Sequence, residues 1–546
     1  MSTKNRDVTL LRTALIAILL SLSTLSAQNQ PAVVQSDQWQ IAGQNLSNTW
    51  SQPAEHLISP TNVNRLSPKW VFTTGGDVSA TPTVDGDTVY FPDWGGNLFA
   101  VNKKSGRLVW SHKISDYDGV DGAISRVSPA IDGDQLIIGD ILSSKEVHNG
   151  ANVMAVDRET GSRRWITQVD SHPAAVITGS PVVFGGVVYI GVSSIEESLA
   201  TNPAYPCCSF RGSMVALDAK NGAILWKTFD MPDNGGQTDQ YSGGAVWQPP
   251  AIDPKRGTLY IGTGNNYTAP AEVERCQNAS ANPSPNCAAP DDFFDTALAL
   301  DLKTGQIKWS KRLQGSDTWT VACLTSGRQN PNCPVPSSPD FDLGGSGPNL
   351  VGNIVGFGQK SGIYWALNPD NGNIVWSTPV GPGASLGGIE WGTATDGKRI
   401  YVAIANSDLR PYTLVPSGQQ ITWGAWSALD VATGKIIWQT ADPTPGAIDR
   451  GSVSVANGVI YVGSNSGEMY ALNAATGNIL WNFASGGTVI DGPSIVDGAL
   501  YWGSGYREIS GTGNNKVYAF TLAAPNVETG TGTATASTPT AKAKTN

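Results

Sequence analysis

The chain has 546 residues, a formal net charge of −10, 40% hydrophobic residues and only 15% charged ones. That acidic balance excludes a nucleic-acid surface, which needs clustered Lys and Arg. Low charge with 62 Gly and 34 Pro predicts many short strands joined by tight turns rather than long surface helices.

Residues 1–27 read as a secretory signal peptide. Lys4, Arg6 and Arg12 lead into the apolar run ALIAILL (14–20), and Ser26-Ala27 offer a small-residue cleavage point. The run is shorter than the roughly 20 apolar residues a bilayer span needs. No later segment is apolar enough, so the mature chain is expected to have no membrane span; an uncleaved anchor is the alternative. Export to the periplasm or the exterior also suits six Cys. Local pairs (Cys207 with Cys208, Cys276 with Cys287, Cys323 with Cys333) are the economical choice among fifteen connectivities. No CxxCH or CxxC spacing occurs, and there are four His, so neither covalent haem nor a zinc site is expected.

Along residues 28–522 one pattern returns: an apolar strand, Asp or Asn, a short turn with Gly, then an apolar stretch ending in Trp. LFAVNKKSGRLVW ends at Trp110, VMAVDRETGSRRW at Trp165 and MVALDAKNGAILW at Trp226. LALDLKTGQIKW, YWALNPDNGNIVW, WSALDVATGKIIW and YALNAATGNILW end at Trp309, Trp376, Trp438 and Trp481. Each copy is a hairpin that cannot bury its own faces. Repetition at about 40–50 residues predicts radial four-stranded blades, with each Trp filling the gap between neighbours. LSPKW, ending at Trp70, has no hairpin before it, and NKVYAFTL (515–522) has no Trp after it. Pairing the two predicts an all-β, eight-bladed propeller whose last blade is closed by the N-terminal strand, leaving no exposed edges. Spacings between successive blade tryptophans run 40, 55, 61, 83, 67, 62 and 43. The long middle loops therefore place the candidate site roughly between residues 120 and 410. Residues 523–546 are Thr/Ala-rich, patternless and expected to be disordered.

The eightfold AxDxxTGxxxW repeat resembles that of the quinoprotein alcohol dehydrogenases, which use pyrroloquinoline quinone (PQQ). The likeness covers nearly the whole mature chain. Cofactor-free propellers, such as bacterial outer-membrane assembly lipoproteins, share the repeat, so the loops must discriminate. In YIGVSSIEE the resemblance implies Glu196 as a metal ligand, Ser193 and Ser194 beside the cofactor, and Glu197 as a neighbour able to substitute. ITGSPVV offers Thr178 as a hydrogen-bond donor to the quinone. VWQPPAIDPKRGTLYIGTGN is the most specific match: Trp247 as the platform under the quinone and Asn265 as a metal ligand. The family's Trp-Asp-aromatic-Asp stretch is altered here. Thr320 follows Trp319, and PDFDLGG comes only after a Cys-bounded insertion. The catalytic base is therefore expected at Asp340, with Asp340 and Asp342 as added metal ligands and Asp317 as the fallback base. Lys360 in GQKSG is expected at the quinone carbonyl oxygens. Glu390 and Trp391 in GGIEW replace the family's Asn-Trp, and Arg126 resembles a carboxylate-binding arginine. Ala245 stands where a relative offers a Thr hydroxyl. The vicinal Cys207-Cys208 comes later in the chain than in relatives where such a pair covers the quinone. Cofactor cover and simple loop staple both remain open.

These features together are most similar to the polyvinyl alcohol dehydrogenase branch. The resemblance implies oxidation of alcohols, secondary alcohols or polyvinyl alcohol among them, with electrons passing to an external acceptor such as a c-type cytochrome. Positive groups suit the three carboxylates of PQQ, a flat indole suits its ring, and oxygen ligands suit Ca²⁺, with a lanthanide as the alternative. A metal polarises the quinone carbonyl, and a carboxylate takes the hydroxyl proton. The contrasting expectation is a cofactor-free scaffold for protein–protein contact. A glycosidase with paired carboxylates is a weaker third.

Overall fold

The computed structural model describes residues 38–142, 150–278, 287–325, 329–335 and 339–523. The expected signal peptide and the tail beyond Ala523 lie outside these residues. Eight antiparallel four-stranded blades follow one another: blade 1 (83–113), blade 2 (130–170), blade 3 (182–229, with Ala175–Val176 as a short fifth strand of its sheet), blade 4 (251–312), blade 5 (348–379), blade 6 (394–441), blade 7 (454–484) and blade 8 (494–522). Blade 8 takes its outer strand from Leu66–Thr73, which pairs antiparallel with Lys516–Leu522 and sets Trp70 opposite Ala519. The propeller closure expected from the two incomplete repeats is thus the one observed.

The repeat explains the blade locally. Asp157 Oδ1 accepts the backbone N–H groups of Glu159 and Thr160, which bends the chain into Gly161 at φ +73°. Asp301 and Asp430 make the same turns before Gly305 and Gly434. The glycine is needed for a second reason. A Cβ on Gly372 would lie 2.6 Å from Cε3 of Trp309 in the preceding blade, and one on Gly434 would lie 2.4 Å from Cε3 of Trp376. Each blade tryptophan from Trp70 to Trp438 therefore lies against the turn glycine of the next blade and donates its indole N–H to that blade. Trp110 donates to Arg158, Trp309 to Pro369 and Trp376 to Val431, at 3.0–3.1 Å. Trp481 completes the ring by donating to Leu66 at 3.0 Å.

The segment before Leu66 has a role the repeat did not announce. Trp39 exchanges hydrogen bonds with Val84 of blade 1. Carbonyls of Gln40, Leu46, Ser47, Thr49 and Trp50 accept the N–H groups of Ile131, Ile252, Leu350, Thr395 and Val455. Gln52 Nε2 donates to Ile495. One extended stretch thus satisfies the free inner edges of blades 1, 2 and 4–8, which would otherwise leave strand donors unpaired.

Candidate active site

A cavity with about 800 Å³ of empty space, including its solvent-facing mouth, is lined by loops from most of the ring. Arg126, Thr178, Ser193, Ser194, Trp247, Asn265, Asp340, Asp342, Lys360, Glu390 and Trp391 all line it. These residues span more than 260 positions in sequence, and only the circular closure brings them together.

The centre of the site is a buried ion cluster. Lys360 Nζ lies 3.2 and 3.1 Å from the two carboxylate oxygens of Asp340 and 2.7 Å from Asp342 Oδ2. It also sits 5.5 Å from the centroid of the Trp247 ring. Burial opposes the charge on Lys360, yet Asp340, Asp342, Glu197 and Glu390 together outweigh it and hold the ammonium well above its ordinary range. Burial likewise pushes the Asp340 carboxyl up, reinforced by Asp342, Glu197 and Asp317, while Lys360 pulls the other way. A second cation in this cavity would favour the ionised form of Asp340. Asp342 Oδ1 accepts the backbone N–H of Asn265 at 2.7 Å. The Asn265 amide nitrogen donates to the carbonyls of Asn266 and Trp319, which leaves Oδ1 as the atom able to ligate a cation.

Glu196 is not in this cavity. Its carboxylate accepts the backbone N–H groups of Ser209 and Phe210 at 2.9 and 2.8 Å and the Tyr205 hydroxyl at 3.2 Å. Those three partners turn it into the 205–210 loop. Glu197 faces the cavity instead, with Oε1 buried and without a hydrogen-bond partner among the described residues. Burial, tempered by Lys360, raises its carboxyl to about 8. The neighbour named as a substitute thus occupies the place expected for Glu196. The Cys-bounded insertion holds this turn: Val321 N–H donates to the Glu197 carbonyl, and the side-chain amides of Asn330 and Asn332 both reach the Ala200 carbonyl.

Thr178 Oγ1 and Glu390 Oε2 are also buried without hydrogen-bond partners among the described residues. The Arg126 guanidinium lies 4.6 Å from the Trp391 ring centroid, 5.7 Å from that of Trp94 and 5.8 Å from that of Tyr506. Thr320 does not face the site; its hydroxyl donates to the Asn332 carbonyl. The three disulfides join the local pairs. Cys207-Cys208 does not line the cavity; Cys207 packs with Ala200, Ala322 and the Cys323–Cys333 bridge, as a loop staple would. Sequence reasoning missed Tyr506 and Ile509, which line the cavity from the loop between Ala499–Ser504 and Lys516–Leu522 of blade 8. The Gly-rich run GSGYREISGTG was the available signal.

The sequence profile of the family described as "Outer membrane protein assembly factor BamB" matches residues 67–202 and 424–531. It covers blades and skips the stretch holding Trp247, Asn265, Asp340, Lys360 and Glu390. The chain is similar to the polyvinylalcohol dehydrogenase of Sphingopyxis sp. strain 113P3 at 31% identity, covering 88% of this chain and 77% of the relative. The chain belongs to the PQQ-dependent quinoprotein alcohol dehydrogenase family, in its polyvinyl alcohol dehydrogenase-like branch. Among solved structures, the quinohemoprotein alcohol dehydrogenase from Comamonas testosteroni shares the fold at TM-score 0.65 and 19% identity, covering 91% of this chain and 82% of that one. A europium-containing methanol dehydrogenase shares it at TM-score 0.62 and 17% identity, covering 89% of this chain and 98% of that one.

Proposed function

We propose that this protein is an exported alcohol dehydrogenase that holds PQQ and a cation in the cavity and passes electrons to an external acceptor such as a c-type cytochrome. The observation that carries the reading is the convergence of Thr178, Glu197, Trp247, Asn265, Asp340, Asp342 and Lys360 on one cavity.

The residues present fit both groups. Gly344 and Gly345 run along the Trp247 indole, where a Cβ on Gly345 would lie 2.9 Å from Cη2. That supports a fixed, flat platform for an aromatic ligand. The partnerless Thr178 Oγ1 is a buried donor suited to a ligand oxygen. Glu197, Asn265 Oδ1 and Asp342 offer oxygen ligands of the kind Ca²⁺ or a lanthanide takes. Among the described residues, no three His, Cys, Asp or Glu side chains are grouped to hold an ion alone. This fits an ion shared with Asn265 and with cofactor oxygens. We take Ca²⁺ as the default.

When bound, PQQ supplies an electrophilic carbonyl carbon that accepts hydride, polarised by the metal. Asp340 accepts the hydroxyl proton of the alcohol, and Lys360 steadies the resulting charge arrangement. Arg126 would hold anionic oxygens of the cofactor and Thr178 a carbonyl oxygen. Val321, Leu386 and Ile509 give the cavity an apolar wall, which suits the hydrocarbon flank of a secondary alcohol or of polyvinyl alcohol.

The test is reconstitution of the mature chain with PQQ and Ca²⁺ or a lanthanide. Quinone absorbance is followed together with dye-linked oxidation of a primary and a secondary alcohol. Stoichiometric binding with metal-dependent turnover is expected. A folded protein that binds no PQQ with either metal would instead be a propeller scaffold, the reading that the assembly-factor profile favours for the blades.

A further inference from the structure

A second cleft, with about 980 Å³ of empty space and open to solvent, lies where the outer strands of blades 2 and 3 end. The charges that line it cancel. Lys227 Nζ donates to Asp170 Oδ2 at 2.6 Å, and Arg211 Nη1 donates to Asp233 Oδ1 at 3.0 Å. Among the described residues no other Lys, Arg, Asp or Glu lines the cleft. His172 adds no charge. Its Nδ1 accepts the N–H of Ala174, so Nε2 carries the proton and donates to Ser209 Oγ at 3.0 Å. Burial holds that ring below its ordinary range.

A charged ligand has to break an ion pair already made. A hydroxyl does not, because it donates to a paired carboxylate and accepts from a paired cation at once. Phe229 supplies the apolar part. Its ring is 39% exposed, although the Arg211 guanidinium lies 4.2 Å and Lys227 Nζ 4.6 Å from its centroid. An open aromatic ring flanked by paired donors and acceptors suits a chain in which C–H groups and hydroxyls alternate. Gly235 and Gly236 border the cleft with open space where a Cβ would go, so the border does not obstruct such a chain.

The cleft adjoins the cofactor cavity. Ser209 lines the cleft and its N–H holds the Glu196 carboxylate, while Glu197 lines the cavity. One short turn, Glu196–Leu199, stands between the two.

We infer that this cleft is a second binding site, for a neutral polyhydroxylated chain. Its use by the distal stretch of a hydroxylated polymer whose reacting alcohol occupies the cofactor cavity rests on the proposed function; binding in the cleft does not.

The experiment titrates the mature chain by calorimetry, with and without PQQ and Ca²⁺, using a polyvinyl alcohol oligomer and, separately, the neutral oligosaccharide maltoheptaose. Wild type is compared with Phe229→Ala and Asp233→Ala. Phe229 is 39% exposed and the Asp233 side chain 83%, so both variants are expected to melt as wild type does. Affinity for the polyhydroxylated chain is expected to fall by about tenfold in each. PQQ affinity and turnover of a small secondary alcohol should stay unchanged. Which oligomer binds wild type tells a polymer subsite from a sugar site. Wild type that binds neither oligomer, or variants that bind as tightly as wild type, would overturn the inference whatever the activity. Chain binding that is lost in the variants, in a wild type that takes up no PQQ, would leave the cleft site standing and overturn the proposed function instead.

Discussion

The carboxylate of Asp317 grips the residue expected to act as base: Oδ1 accepts the backbone N–H of Asp340 at 3.1 Å, and Oδ2 accepts that of Phe341. Asp340 sits at φ +62°, a left-handed conformation that a non-glycine residue adopts only when its surroundings impose it. The stretch between Trp319 and Asp340 is tied by the Cys323–Cys333 disulfide. Asp317 anchors the Asp340–Phe341 turn, while its carbonyl and the N–H of Trp319 pair with Asn266 beside Asn265. Asp317→Ala is therefore expected to lower kcat by about a hundredfold, as loss of base orientation does. PQQ binding should stay close to wild type, because Trp247, Thr178 and Lys360 are untouched. Single-turnover kinetics beside a PQQ titration separates the two effects.

The opposite orientations of Glu196 and Glu197 give a paired prediction. Glu197→Gln should weaken Ca²⁺ binding by about tenfold or more while barely changing the fold. Glu196→Gln should instead loosen the 205–210 loop by about 1–2 kcal/mol, since a neutral amide accepts its N–H bonds less strongly. Calcium titration in the presence of PQQ, with thermal unfolding of both variants, checks this. Equal loss of metal affinity in the two would show that Glu196 also reaches the ion.

Blade cohesion can be tested at two glycines of similar backbone. Gly372 (φ +71°) lies against Trp309, whereas Gly352 (φ +58°) has open space where a Cβ would go. Gly352→Ala should cost about 1–2 kcal/mol, the left-handed penalty alone. Gly372→Ala should cost about 2–3 kcal/mol more, from overpacking against the indole. Denaturant midpoints of the two variants decide it.

Stability should fall as pH rises through the acidic range, in part because of Asp292. Burial raises its carboxyl to about 7, partly offset by the hydrogen bond from Asn266 and by Arg312. The folded state therefore keeps a proton that the unfolded chain releases near pH 3.9. The stabilising contribution is full below that value and is lost as pH climbs to about 7, a change on the order of 2–4 kcal/mol. Asp292→Asn should flatten the decline, which unfolding at pH 5 and pH 8 would reveal.

The fold was legible in sequence because each blade carries its own local rule. An Asp-to-Gly turn and a Trp at a fixed offset are short-range features, and the interblade clamp uses just those residues. Ring closure was legible for the same reason: two incomplete repeats at the chain ends leave two strand edges that only each other can satisfy. Trp247, Asn265, Lys360 and the displaced Asp340–Asp342 pair were also readable, because motif spacing carries them. Tertiary structure decided the rest. Glu196 and Glu197 are chemically equivalent neighbours in the sequence, and only the N–H groups of Ser209 and Phe210, more than ten residues away, determine which one turns outward from the site. The stretch from Trp39 to Gln52 has no repeat, and its role exists only because the inner edges of the blades converge on it.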